Sequence, residues 1–286
     1  MKLFLADRNI TSLYSVFVMG IINLTSDSFF SKSRVSDYQK AIEASLKMIE
    51  DGADILDIGA ESTRPGSQYI CENEEIDKII PVVEGIRKYN KKVAISIDTR
   101  KTNVIKQSVK SGADILNDVS ALEDGEKIAE FVADSNIPVI LMHKKGIPLT
   151  MQKNTEYADV IKEVSEYLCN RADFALSKGI KSDKIIFDVG IGFGKDLNAN
   201  LDLITNCNYF KTCWKNHPKD GIPILMALSR KTCIGEITGK PVEERLAGTL
   251  AANIFSVLKG CSILRVHDVK ETVDSIKVLD ALLKRG

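Results

Sequence analysis

Short apolar runs alternate with longer amphipathic stretches along almost the whole chain. Val16 to Ile22 is continuously apolar and opens onto the polar segment Asn23-Leu24-Thr25-Ser26-Asp27-Ser28, the pattern of a strand buried on both faces that ends in a loop. Tyr38, Ala41, Ile42, Leu46 and Ile49 then recur at helical spacing between Asp37 and Asp51, and Gly52 stops them. The same event repeats: Ala53–Ile58 before a helix at Glu74–Tyr89, Val93–Ile97 before Thr102–Lys110, and Ala113–Leu116 before Gly125–Ser135. It continues with Pro138–Met142 before Thr155–Lys178, Lys184–Phe187 before Asn200–Lys211, Pro223–Leu228 before Val242–Leu258, and Ser262–Leu264 before a last helix ending at Leu283. Strands that alternate with helices run parallel, and eight such units close into a barrel. The expected fold is therefore α/β, a (β/α)8 TIM barrel in a single domain over residues 1–286, with a doubly wound open sheet as the alternative.

Charge narrows the partners. Lys plus Arg and Asp plus Glu both total 39, so the net charge is zero and no overall field favours nucleic acid or an anionic membrane surface. No apolar run approaches the roughly 20 residues that span a bilayer, so a cytoplasmic protein is expected. Six cysteines are scattered without a Cys-x-x-Cys pair, which reads as reduced thiols in structural positions.

Candidate chemistry sits where the strands end. Asn23, Thr63, Arg64, Asp98, Asn117, His143, Asp188, Lys231, Arg265 and His267 all follow apolar runs, on the face that barrel enzymes use. In Asp57 to Gly66, Gly59 and Pro65-Gly66 exclude a regular helix, which leaves Thr63 and Arg64 on a loop suited to an oxyanion. Thr63, Arg64, Lys231, Arg265 and His267 could converge on a phosphate-type group. Asp98, Asn117 and Asp188 suit instead a flat heterocycle that offers adjacent N–H donors, such as a pterin or guanine. Capping of the next helix is the competing use of Asp98. Gly190-x-Gly-x-Gly-Lys195 fits neither the Walker nor the dinucleotide spacing; its glycines suggest close backbone approach to a flat ligand, with Phe193 available to stack. His143 reads as an exposed loop residue, and residues 143–154 as a mobile loop.

At these positions the chain resembles the dihydropteroate synthases, pterin-binding enzymes of folate synthesis, over essentially its whole length. The matching motifs are Met19 to Phe29, Asp57 to Gly66, Ser96 to Arg100, Asp188 to Lys195, Ser229 to Lys231 and Arg265 to Asp268. The resemblance implies a transferase that joins p-aminobenzoate to 6-hydroxymethyl-7,8-dihydropterin diphosphate, requires Mg2+, responds to sulfonamides and forms a homodimer. It implies Asp98, Asn117, Met142, Asp188, Phe193 and Lys231 for the pterin, and Asn23, Thr63, Arg64, Arg265 and His267 for the diphosphate, with Asn23 beside the metal. Phe29, Pro65, Ser229 and Thr232 match positions around p-aminobenzoate, and Arg64, Asp98 and Lys231 carry the catalytic role. The first loop departs from the family, with Ser26 in place of proline and Phe30-Ser31-Lys32-Ser33 in place of Ser-Asp-Gly-Gly. Two rivals share the acidic pocket: a pterin-dependent corrinoid methyltransferase and a non-catalytic pterin-binding paralogue.

Overall fold

The computed structural model describes residues 2–24, 34–61, 70–146, 151 and 154–285, with backbone alone at 34–36. Eight parallel strands close into a barrel: β3 (Phe17–Asn23), β4 (Ile55–Gly59), β5 (Ala94–Asp98), β6 (Ile115–Asp118), β7 (Val139–Met142), β8 (Ile185–Asp188), β9 (Ile224–Met226) and β10 (Ile263–Val266). β10 pairs with both β3 and β9, which completes the ring. The expected barrel is thus observed. Its outer layer comprises α1 (Arg34–Glu50), α2 (Glu72–Tyr89), α3 (Thr102–Lys110), α4 (Glu126–Ser135), α5 (Val160–Ser177), α6 (Leu197–Thr205), α7 (Thr232–Thr238), α8 (Leu246–Leu258) and α9 (Val269–Leu283).

Period-two alternation divides each strand between two cores. Phe17, Met19, Ile55, Ala94, Ile115, Ile140, Ile186, Leu225 and Ile263 fill the barrel, whereas Val18, Leu56, Ile58, Ile95, Leu116, Leu141 and Phe187 pack beneath the helices. Both sets are apolar, which explains why the strands read as continuous runs.

A short antiparallel hairpin, β1 (Lys2–Phe4) with β2 (Asn9–Thr11), precedes the barrel and was not foreseen. Leu3 and Leu5 are buried in the same cluster as the barrel interior, so the hairpin stoppers the end opposite the strand termini. Lys184 Nζ donates to the carbonyls of Phe4 and Leu5 at 3.0 and 2.7 Å, and Arg8 pairs with Asp114 at 2.9 Å. Three-residue strands carry too little pattern to be read alone.

Helix boundaries moved where caps intervene. α5 starts at Val160 because the Asp159 carboxylate accepts from the Lys162 amide, and α6 starts at Leu197 because Asp196 does the same for Ala199. The helix expected over 200–211 ends at Thr205 and continues as a 3-10 turn from Cys207 to Lys211, and α7 begins at Thr232, the helix N-terminus that the resemblance implies there. Pro81 lies inside α2, where its missing N–H leaves the carbonyl of Asp77 without its helical donor. The Tyr38 hydroxyl of α1 donates to that carbonyl at 3.0 Å.

The hairpin predicts that Leu5→Ala costs about 2–5 kcal/mol of stability, since it opens a cavity against the barrel floor. Urea unfolding would measure it, and a loss below about 1 kcal/mol would mean that the stopper contributes little.

Candidate active site

At the carboxyl-terminal mouth the inward positions turn polar: Asp57 after Ile55, Ser96 and Asp98 after Ala94, Asn117 after Ile115, Asp188 after Ile186, and Arg265 after Ile263. Arg265 lies at their centre. Its Nε donates to Asp57 Oδ2 at 2.6 Å and its Nη2 to Asp98 Oδ2 at 3.0 Å. Asn117 Nδ2 donates to the same Asp57 oxygen at 3.1 Å, while the buried Asp57 Oδ1 and Ser96 Oγ have no hydrogen-bond partner among the described residues. The register sets Gly59 beside Asp98, and a Cβ at 59 would come within 3.1 Å of the Asp98 Cβ.

Burial pushes the Asp98 carboxyl up to about 7, despite the opposing pull of Arg265. Desolvation also works against the Arg265 charge, but Asp57 and Asp98 outweigh it and hold the guanidinium protonated. Burial likewise raises Asp188 and lowers Lys231 to about 8, and each of these two opposes the other's shift. One electrostatic unit therefore runs from Asp57 through Arg265 and Asp98 to Lys231 and Asp188.

On the other side of the mouth, Asp188 Oδ1 accepts from the Gly190 amide at 2.7 Å and Met142 stands in register with Asp188. The Lys231 ammonium lies 4.5 Å from the centroid of the Phe193 ring. Ser229 Oγ meets His267 Nδ1 at 2.9 Å, and Arg230 grips Asp268 through two bonds at 3.0 and 2.7 Å, which ties the turns after β9 and β10 together. Thr232 is exposed at the start of α7, and Asn23 ends β3 in register with Gly59.

The structure thus gathers Asp98, Asn117, Asp188, Phe193, Lys231 and Met142 at one mouth, with Arg265, Ser229 and His267 on its β9–β10 side. Phe29, Thr63, Arg64 and Pro65 lie outside the described residues, as do 147–150 and 152–153 of the loop expected to be mobile. Asp98 turns to Arg265; the residue at the cap of α3 is Lys101.

Two expectations are corrected. His143 is not an exposed loop residue: it is 6% exposed, with its Nδ1 2.9 Å from Lys195 Nζ. The glycines 190 and 194 make their close approach to protein rather than to a ligand, because a Cβ there would run into the carbonyl oxygens of His143 and Lys145. Both have positive φ, so glycine is required on two counts. Gly192 faces the Lys231 side chain.

Asp57 and Lys195 carried no role in the sequence reading. Asp57 had a signal, since two residues beyond inward Ile55 a strand side chain must enter the barrel. Lys195 had none, because its partners come from two different loops.

The family of pterin binding enzymes matches residues 19–267, and the chain belongs to this family. Dihydropteroate synthase from Haemophilus influenzae is 40% identical over 281 residues, 98% of each chain. The Yersinia pestis dihydropteroate synthase, solved in complex with a sulfonamide drug, superposes with a TM-score of 0.90 at 32% identity, covering 99% of this chain and 100% of the other. The Xanthomonas albilineans enzyme, solved with 7,8-dihydropteroate, superposes with a TM-score of 0.85 at 35% identity over 99% of both chains.

Arg265 offers a direct test of the electrostatic unit. Replacing it with Met leaves the Asp57 carboxylate buried and uncompensated, and should cost about 3–5 kcal/mol. Asp98 shares that loss only while ionised, so the penalty should shrink as pH falls through about 7, where Asp98 takes up a proton. Denaturant titrations across this range would show it; a penalty independent of pH would contradict the coupling.

Proposed function

We propose that this chain catalyses the dihydropteroate synthase reaction, joining p-aminobenzoate to 6-hydroxymethyl-7,8-dihydropterin diphosphate with release of pyrophosphate. The observation that carries the reading is the mouth itself: carboxylates at Asp98 and Asp188, the amide of Asn117 and the Lys231–Phe193 pair gathered on one barrel face. Carboxylates accept the adjacent N–H donors of a pterin edge, and an aromatic ring beside an ammonium gives a flat heterocycle a wall. That relatives matching the full length are dihydropteroate synthases, one solved with 7,8-dihydropteroate, supports the same substrates here.

The reaction is a substitution at the pterin methylene. The carbon–oxygen bond to the diphosphate breaks, the electron-rich ring shares the cationic character, and the aniline nitrogen forms the new bond and releases a proton. No enzyme nucleophile is required. Asp98, Asn117 and Asp188 orient the pterin, Lys231 bounds its far side between Met142 and Phe193, and Arg64, Thr63, Asn23, Arg265 and His267 receive the departing charge. Phe29, Pro65, Ser229 and Thr232 enclose p-aminobenzoate.

Mg2+ belongs to this reading. It is normally held by one or two protein oxygens together with substrate phosphates and water, and Asp57 Oδ1 near the end of β4, without a hydrogen-bond partner among the described residues, fits such a donor set with Asn23 on the adjoining strand. When bound, the ion would neutralise charge on the leaving pyrophosphate. A cytoplasmic location is part of the same reading; among the described residues no helix is long and apolar enough to cross a membrane, and the six cysteines are free thiols.

A homodimer is the oligomeric state favoured by α8, which is turned inside out: Thr249, Asn253 and Ser256 face the barrel, while Phe255 and Leu258 are exposed. A second copy would cover that apolar face.

Incubation with the pterin diphosphate, p-aminobenzoate and Mg2+ should yield dihydropteroate and pyrophosphate; pterin binding without product would favour the non-catalytic paralogue. The pH dependence follows from the site. Asp98 must be ionised to accept the pterin donors and Lys231 protonated, so kcat/KM for the pterin substrate should rise through about 7 and fall through about 8. A flat profile across that range would contradict these roles. Sedimentation should give a dimer that Phe255→Glu converts to monomer.

A further inference from the structure

Behind the pterin face lies a second polar assembly that the proposed reaction leaves unused. Lys195 is 3% exposed, and its ammonium donates to the Gly190 carbonyl at 2.9 Å and the Phe193 carbonyl at 3.1 Å. His143 Nδ1 lies 2.9 Å away and accepts the third N–H while Lys195 is protonated, although burial lowers that ammonium to about 7. The ammonium thus joins two carbonyls of the turn after β8 to His143 of the turn after β7, whose own carbonyl lies 3.5 Å away. His143 is held in turn, edge-on to Tyr167 with ring centroids 4.9 Å apart. Burial and the Lys195 charge both keep its imidazole neutral, far below the usual histidine range.

The turn that Lys195 closes is the one that aims the pterin groups. Gly190, whose carbonyl Lys195 holds, also donates its amide to Asp188 Oδ1. That bond occupies one carboxylate oxygen and fixes the plane in which the other presents itself. Phe193, whose carbonyl Lys195 also holds, carries the ring facing Lys231. The outer side of the turn is secured independently, by Asn200 accepting from the Gly192 amide and by Tyr157 donating to the Gly194 carbonyl. The inner side depends on a buried lysine that has no carboxylate in contact among the described residues, an expensive way to hold a turn.

We infer that Lys195 and His143 are positioning residues for pterin recognition, a buried pair that sets the orientation of the Asp188 carboxylate and the Phe193 ring without touching substrate. The inference rests on Asp188 and Phe193 being pterin groups. It makes the turns after β7 and β8 a single recognition element, and it separates this element from the p-aminobenzoate side at Ser229 and Thr232.

Lys195→Met keeps the length of the side chain and removes its three donors. It should raise KM for the pterin diphosphate and weaken calorimetric binding of the bare pterin by about tenfold or more, with kcat and the KM for p-aminobenzoate within about twofold of the parent enzyme. His143→Leu should reproduce this loss, whereas His143→Asn, which returns an acceptor near the position of Nδ1, should recover most of the affinity. The histidine pair decides the matter if the lysine variant fails to fold. Unchanged pterin affinity, equal losses for both substrates, or an Asn variant no better than Leu would each overturn the inference. Failure of the unsubstituted enzyme to bind pterin would instead overturn the underlying assignment of Asp188.

Discussion

A single guanidinium inside the barrel makes the rest of the site possible. Arg265 enters from β10 and reaches Asp57 on β4 and Asp98 on β5, residues separated from it by 208 and 167 positions in the chain. Buried carboxylates of like charge repel and are costly to desolvate, and so is a buried cation alone. Together they are tolerable, and the arrangement exists only once the barrel has closed between β9, β10 and β3. Closure and charge pairing are therefore one event, and the polar mouth is bound to the topology that produces it.

The two ends of the barrel divide the work. The floor is apolar, with Leu3 and Leu5 of the hairpin packed against Phe17, Met19 and Ile55. The mouth holds two atoms without a partner among the described residues, Asp57 Oδ1 and Ser96 Oγ, together with carboxyls and ammonium groups displaced from their ordinary ranges. Such groups weaken a fold, and they also mark where a ligand with complementary donors and charge would be rewarded. A well-packed floor gives the mouth a rigid base on which to hold them.

Around the mouth, the strand ends are linked loop to loop. Arg230–Asp268 and Ser229–His267 join the turns after β9 and β10, and the Lys195–His143 pair joins those after β7 and β8. Loops positioned this way behave as extensions of the strands, which suits a reaction that needs orientation more than an enzyme nucleophile.

By itself the sequence determined the periodic order of strands and helices, and hence the parallel barrel, because a period of 2 or 3.6 is a local property of the chain. It also determined which strand ends carry polar groups, since Asp98, Asn117, Asp188 and Arg265 each follow an apolar run directly. Only the tertiary structure decided how those groups meet. That Asp57 is a central carboxylate, that His143 is buried, and that the glycines of 190–194 press on a neighbouring backbone all depend on contacts between loops far apart in the chain. The hairpin at the floor and the inverted polarity of α8 belong with them. Their residues look unremarkable in order along the chain, and acquire meaning from what stands opposite when the ring closes.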